Sequence, residues 1–423
     1  MRLAVRLPVA LLLLALLAGC SWLRHRPTDT PSLASPDELR RAYSLVSDPS
    51  RYYDKVHGAW LGKLIGLALA QPVEGWYKEG IRERAEEVGA YPVQGYFPSN
   101  FRGIPGCEPW LYGNLAGSPS NDDVEQMLLA LVTLRERGVD PTPRDIAEIW
   151  DKYLPYGNVA SGVALYNIRR GIWPPESATT DNPYQNRIGG HMRVDIWGMV
   201  APGCPALAAD LAERDASLAH TGEGIYGARF VAAAVSLAMF ERDPKTILTQ
   251  ALEFIPADCE YATYVRDVIG WHAQYPDWED AYAELDRKYG FYPDGTRERE
   301  YDDPRFDRSI PRYQWNDARL GLATLNGAAC ALALLYGEGD FARTICLSTM
   351  IGYDTDCNAG TVGAIVGASI GASQIPPYWI EPLQDTYRSH VKPIGKEASI
   401  SAIARETALY GYQVIASRLI EHP

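Results

Sequence analysis

An all-α fold is what this sequence predicts, on three observations. Its long segments carry helical periodicity, alternating polar and apolar runs are scarce, and stretches such as YGARFVAAAVSLAMF at 226–240 are apolar nearly all round, as in helices buried inside a large globule. The stretch 46–423 is longer than a typical domain, yet no second linker rich in proline, glycine or serine interrupts it. One large helical domain is expected there.

In chain order, Arg2 and Arg6 precede an apolar run, Leu7–Leu17, followed by Ala18, Gly19 and Cys20. This is the form of a signal peptide over residues 1–19. A small-residue cleavage site with cysteine directly after it resembles a bacterial lipoprotein signal, so Cys20 is expected to carry lipid. Ser21 in place of aspartate argues against inner-membrane retention, which points to the outer membrane or the periplasmic face. The apolar run is short for a membrane span, so attachment is expected through the N-terminal lipid only. Residues 20–45 include PTDTPSLASPDE, a composition that builds no core and is expected to form a flexible tether.

Beyond it, EQMLLALVTL at 125–134 fills helical faces continuously and Gly138 follows as a stop. Thr142 with Pro143 announces the next helix, continued by Asp145, Ile146, Ile149 and Trp150. Comparable runs fall at 205–218, 226–240, 316–337, 341–350 and 358–372. In the last, Gly363, Gly367 and Gly371 at four-residue spacing let another backbone approach closely. That run is short, and Asp356 and a proline pair at 376–377 flank it, so it predicts a core helix. Between 256 and 320 the composition turns aromatic and acidic, with Tyr261, Tyr264, Trp271, Tyr275, Trp278, Tyr282, Tyr289, Tyr292, Tyr301, Tyr313 and Trp315. These rings suit either amphipathic helices joined near YPDG at 292–295 or a rim that stacks sugars or bases.

Forty basic against fifty-three acidic side chains give a formal charge of −13, which repels phosphate backbones and excludes nucleic acid as a partner. Six cysteines remain after Cys20. Export would permit disulfides, although Cys330 and Cys346 lie in apolar helical stretches that equally suit free buried thiols.

Two acidic clusters carry the chemistry: SNDD at 120–123 and GYDTDCN at 352–358. Each heads an apolar helix, where aspartate and asparagine also serve as caps. Together they offer four carboxylates at the ends of two buried helices, a donor set for hard cations such as Mg²⁺. A binuclear centre that activates water is the expectation.

Five segments in order, spanning about Tyr53 to Tyr387, resemble the ADP-ribosylglycohydrolase superfamily. They are HGAWLGKLIGLALAQPVEGW at 57–76, SNDDVEQM at 120–127, GGHMRVDIWG at 189–198, HTGEGIYGARF at 220–230 and GYDTDCNAGTVGAIVGA at 352–368. The resemblance implies a large orthogonal all-α bundle with two Mg²⁺ ions, hydrolysing an α-linked ribofuranosyl bond. By position it implies metal ligation by Asp122, Asp123, Asp354 and Asp356, with Asn121 and Cys357 standing where the family usually has threonine. Val124 replaces a further hydroxyl. A thiol is a poor Mg²⁺ donor, so one metal could be weak, differently held or absent, with Asn358, Glu125 or water as candidates to complete its shell. Glu74 would be a gating or general-base carboxylate, and Asp123 is counted with it in the catalytic set. Gly190, Arg193, His220 and Gly222 would line the substrate pocket, although a lone histidine is as often structural. Asp195 would either protonate a leaving group or pair with Arg193 or another basic neighbour.

Three functions are compatible with these residues: hydrolysis of ADP-ribosyl groups, hydrolysis of envelope furanosides, glycans or nucleosides on the same fold, and a non-catalytic binding role. Retention of all four aspartates argues against the last. A monomer is expected.

Overall fold

Two glycine-spaced helices cross so closely that their backbones touch, and this crossing sets the geometry of everything functional. In the computed structural model, which describes residues 33–290 and 321–421, α1 (Pro36–Val46) leads into α2 (Pro49–Ala70) and α3 (Lys78–Glu87). Then follow α4 (Asp122–Arg137), α5 (Pro143–Tyr153), α6 (Val159–Arg169), α7 (Asp195–Val200), α8 (Pro205–Ala216), α9 (Gly222–Ala238) and α10 (Pro244–Ala251). After α11 (Glu260–His272) and α12 (Trp278–Tyr289) come α13 (Ala323–Gly337), α14 (Phe341–Ile351), α15 (Thr355–Ile370) and α16 (Ile400–Glu421). Among the described residues, strands are limited to short pairs, and no helix is long and apolar enough to cross a membrane. The fold is all-α.

α15 packs along α2, and α14, α16 and α13 pack around that pair. Gly58 lies on Gly367, Gly62 on Gly363 and Gly66 on Ala359, so the sequence numbers run in opposite directions. A β-carbon at any of these glycines would overlap the partner's backbone, which is why small residues recur every fourth position on both helices. The antiparallel crossing carries the C-terminal end of α2 to the N-terminal end of α15. A short antiparallel pair locks the two ends: β1 (Trp76–Tyr77) pairs with β2 (Gly352–Tyr353), and Gly75 N–H donates to the Tyr353 carbonyl at 2.9 Å. Thr355 Oγ1 adds a bond to the Ala70 carbonyl at 3.1 Å. The expected stop at Gly138 and the Thr142 cap are both present, the latter as a reciprocal capping box with Asp145.

Residues 36–45, expected to belong to the tether, are instead folded. Ser35 and Glu38 form a capping box around Pro36, and Leu39, Ala42, Leu45 and Val46 are buried, giving α1 an apolar face that packs on α2 and α16. The packed unit begins at Ala34. Residues 1–32, which hold the signal and Cys20, lie outside the described residues, as do YPDG and Tyr292, Tyr301, Tyr313 and Trp315. Of the other rings in the aromatic stretch, Tyr261, Trp271 and Tyr282 are buried and Tyr264 stacks on Tyr289, so they serve packing and not a stacking rim. Cys107, Cys204, Cys259, Cys330, Cys346 and Cys357 are all buried free thiols.

Candidate metal centre

Three chain segments converge where α2 ends. The turn after α2 supplies Glu74, the first turn of α4 supplies Asp122 and Asp123, and the entry to α15 supplies Asp354 and Asp356. Tyr353, immediately before Asp354, holds a left-handed φ of 72°, a costly conformation for a bulky residue that the β1–β2 pair over-determines.

Ligand oxygens of Glu74, Asp354 and Asp356 all lie within 4.8 Å of one another. Asp354 Oδ1 and Asp356 Oδ1 are buried with no hydrogen-bond donor, a costly state for a carboxylate that a hard divalent cation would relieve. The electrostatics agree. Glu74 is exposed at the mouth, and the charge of Asp356, more than burial, holds its carboxyl well above the usual range. Burial and then Asp356 raise Asp354, and the same two causes raise Asp122, which accepts a bond from Asn158 Nδ2 at 3.2 Å. This oxygen set fits a hard divalent cation.

A second grouping, Asp123, Asp356 and Cys357, is equally compact, with ligand atoms within 4.8 Å. Its chemistry differs. The Cys357 thiol donates to Asp123 Oδ1 at 3.3 Å, and burial, then Asp123, push its pKa well above the usual thiol range. The other Asp123 oxygen meets a buried ammonium, Lys63 Nζ, at 3.1 Å. Lys63 also lies 3.4 Å from Asp195 Oδ2 and donates to the Met192 carbonyl at 2.6 Å. Burial alone would lower the lysine, but Asp195 and Asp123 outweigh it and raise it above its ordinary value. Burial pushes Asp123 up to about 8 even though Lys63 opposes it. A protonated thiol and an ammonium do not make a hard-cation site.

The remaining candidates separate by partner. Asn121 caps α4: its Oδ1 accepts from Asp123 N–H at 2.9 Å, while its Nδ2 donates to Asp356 at 3.0 Å and to Gln71 at 2.8 Å. It buttresses Asp356, and its Oδ1 is engaged as the helix cap. Glu125 accepts from Tyr387, Ser389 and the His390 N–H, and Asn358 is bonded to Asn326 and Cys330, so neither is available to a metal. Asp195 is wholly buried against Lys63, not against Arg193. Arg193 is itself fully buried, bonded to Asp215 at 2.7 Å and to the Gly189 carbonyl at 2.5 Å, with its guanidinium over Trp150. Its guanidinium is thus engaged inside the protein. His220 is buried in a cradle where β-carbons on Gly189, Gly190 or Gly224 would crowd the imidazole, and its Nδ1 bonds the Gln185 carbonyl at 3.2 Å. Gly222 opens α9 with φ 47° beside Asn186. Gly190, Arg193 and His220 therefore shape the loop that carries Met192.

Three residues that sequence reasoning passed over belong to this region. Lys63 is the only charged residue between positions 58 and 70, an anomaly in an apolar helix that would have marked it. Arg187 is half-buried and has no ion pair among the described residues; a β-carbon on Gly321 would lie 3.3 Å from its Nη1 and 3.9 Å from Asp354 Oδ2. Tyr156 is 56% exposed, and partial burial, then the charge of Asp122, raise its hydroxyl. No sequence signal distinguishes either of these two.

A model of the ADP-ribosylglycohydrolase family matches residues 48–412. An uncharacterized protein of Archaeoglobus fulgidus is 26% identical over 339 residues, which cover 78% of this chain and 92% of that protein. A solved structure described as an ADP-ribosylglycohydrolase-related protein complex superposes with a TM-score of 0.49 at 21% identity, over 86% of this chain and 99% of the other.

Proposed function

The chain belongs to the ADP-ribosylglycohydrolase family, a family of glycosyl hydrolases, and on that footing we propose that it is an exported, Mg²⁺-dependent enzyme cleaving an N- or O-glycosidic bond of an ADP-ribosyl group. The observation that carries this reading is the meeting of Glu74, Asp354 and Asp356 within 4.8 Å, two of them with orphaned oxygens. These three would hold the ion, with Asp122 completing the shell. When bound, the ion supplies a Lewis acid that orients ribose hydroxyls and acidifies water. In the hydrolysis the water oxygen bonds to the anomeric carbon, the glycosidic electron pair leaves with the nitrogen or oxygen, and the proton lost by water ends on that leaving atom. Glu74, the exposed carboxylate of the set, would accept and pass on this proton. Arg187 beside Asp354 would take a substrate phosphate oxygen, and the Tyr156 ring would offer a stacking face.

Export is supported by Arg2 and Arg6 before the apolar run and by Cys20 after Ala18 and Gly19, which together fit a lipid-anchored protein of the cell envelope. The test is calorimetric titration of the purified chain with ADP-ribose in Mg²⁺ and again after chelation. Chelator-sensitive binding is expected. Absence of binding with metal demonstrably present would turn the assignment toward envelope furanosides, and full hydrolytic activity in Asp122→Ala or Asp354→Ala would sink the metal roles.

A further inference from the structure

We propose that the Lys63 ammonium is the resident cation of the inner half of this centre, so that the chain holds one divalent ion and not two. The inference rests on the reading that Glu74, Asp354 and Asp356 bind a metal.

Lys63 Nζ sits among three oxygens, one each from Asp123, Asp195 and the Met192 carbonyl, at 3.1, 3.4 and 2.6 Å. Lys63, Asp123 and Asp195 are all completely buried. A point charge surrounded by oxygens and closed off from water is the arrangement a bound metal would have, here supplied by a covalently tethered group. Its stem is accommodated deliberately. A β-carbon on Gly360 of α15 would lie 3.0 Å from Lys63 Cδ and 3.2 Å from Cε, so the glycine leaves the channel through which the side chain reaches Asp123.

The donors that a second divalent ion would require face Lys63, are hydrogen-bonded within the protein, or are soft. Asp123 Oδ2 and both Asp195 oxygens accept no hydrogen bond from the described residues, so the Lys63 charge is what balances them. Asp123 faces Lys63 with one oxygen and the Cys357 thiol with the other. Cys357 offers soft sulfur, while Asn358, Glu125 and Asn121 have committed their oxygens to hydrogen bonds inside the protein. Asp356, which belongs to both groupings, is thereby left to the outer one. A tethered ammonium cannot be chelated or exchanged, so one of the centre's three positive charges would be permanent.

Mn²⁺ is the probe, counted by equilibrium dialysis of the purified chain and examined by electron paramagnetic resonance. The expected result is one ion per wild-type chain with the six-line spectrum of an isolated Mn²⁺. Lys63→Met keeps the four side-chain atoms of the stem and removes only the ammonium. It should admit a second ion into the Asp123, Asp195 and Met192 oxygens, with a broadened signal from two neighbouring, spin-coupled ions. Two ions on the wild type, or a folded Lys63→Met variant that still takes one, would overturn the proposal. Should the variant not fold, the wild-type count and spectrum decide alone. Retention of no Mn²⁺ by either protein is a separate result that removes the metal reading and this inference with it.

Discussion

Gly62 on α2 and Gly363 on α15 meet backbone against backbone, and a β-carbon added to either would overlap the other's carbonyl. Because the obstacle is main chain and not a movable side-chain tip, the helices would have to separate. Gly62→Ala or Gly363→Ala is expected to cost about 2–3 kcal/mol in urea unfolding. The same substitution should weaken divalent-ion binding, since Glu74 follows one helix and Asp354 precedes the other. Unchanged metal affinity in a destabilised variant would show that the β1–β2 pair alone sets the ligand geometry.

Asp356 crowds Glu74 and Asp354, and its charge is a leading cause of the raised carboxyls there. Asp356→Asn keeps an oxygen toward Asn121 while removing that charge. In chelator the variant should be more stable than the wild type by about 0.5–2 kcal/mol, the usual gain when a functional conflict is relieved. With metal present the order should reverse, because only the wild type is stabilised by binding. Thermal unfolding in the two buffers makes the comparison.

Arg193 and Asp215 form a buried pair, so Arg193→Met leaves Asp215 uncompensated. A loss of about 3–5 kcal/mol is expected. Enzyme that remains folded should retain its KM, whereas a rise in KM at full stability would return Arg193 to the substrate pocket.

His191 and His220 are buried and neutral, burial lowering both to about 3. In the unfolded chain each takes a proton below about 6.5, and in the fold neither does until near 3. The unfolded state therefore binds more protons across that window, and stability should fall as pH falls from 6.5 toward 3, by about 1.4 kcal/mol per pH unit for each histidine. His220→Asn preserves a donor toward the Gln185 carbonyl and should remove one histidine's share of the slope. Urea midpoints at several pH values would reveal it, and an unaltered slope would mean that His220 titrates normally.

Much of this architecture is legible in the chain because it depends on local rules. Thr142–Pro143–Asp145 announces a helix start, and the glycine spacing of 363, 367 and 371 announces a close approach, each through sterics or hydrogen bonds within a few residues. The aspartate pairs are legible for the same reason, since a residue type at a helix entry limits what it can do. Ser35–Pro36–Asp37–Glu38 carries an equally local signal, but the surrounding proline and serine content hides it and the helix was expected only as tether. What stays hidden is partner choice. Arg193 has Asp195 two residues away in sequence yet pairs with Asp215, and Asp195 pairs with Lys63 across a gap of more than one hundred residues. Those choices are made by the α2–α15 crossing and the loop that delivers Met192, neither of which is written in any short window.

The six buried thiols have a consequence for how the protein is made. No covalent bridge among the described residues contributes to stability, and none of these sulfurs lies on the surface where an oxidant would first meet it. The polypeptide should reach the same native state under reducing and oxidising conditions, independent of any disulfide-forming machinery. Its unfolding curve should be indifferent to dithiothreitol, and material produced in a reducing cytosol should match material recovered from an oxidising compartment.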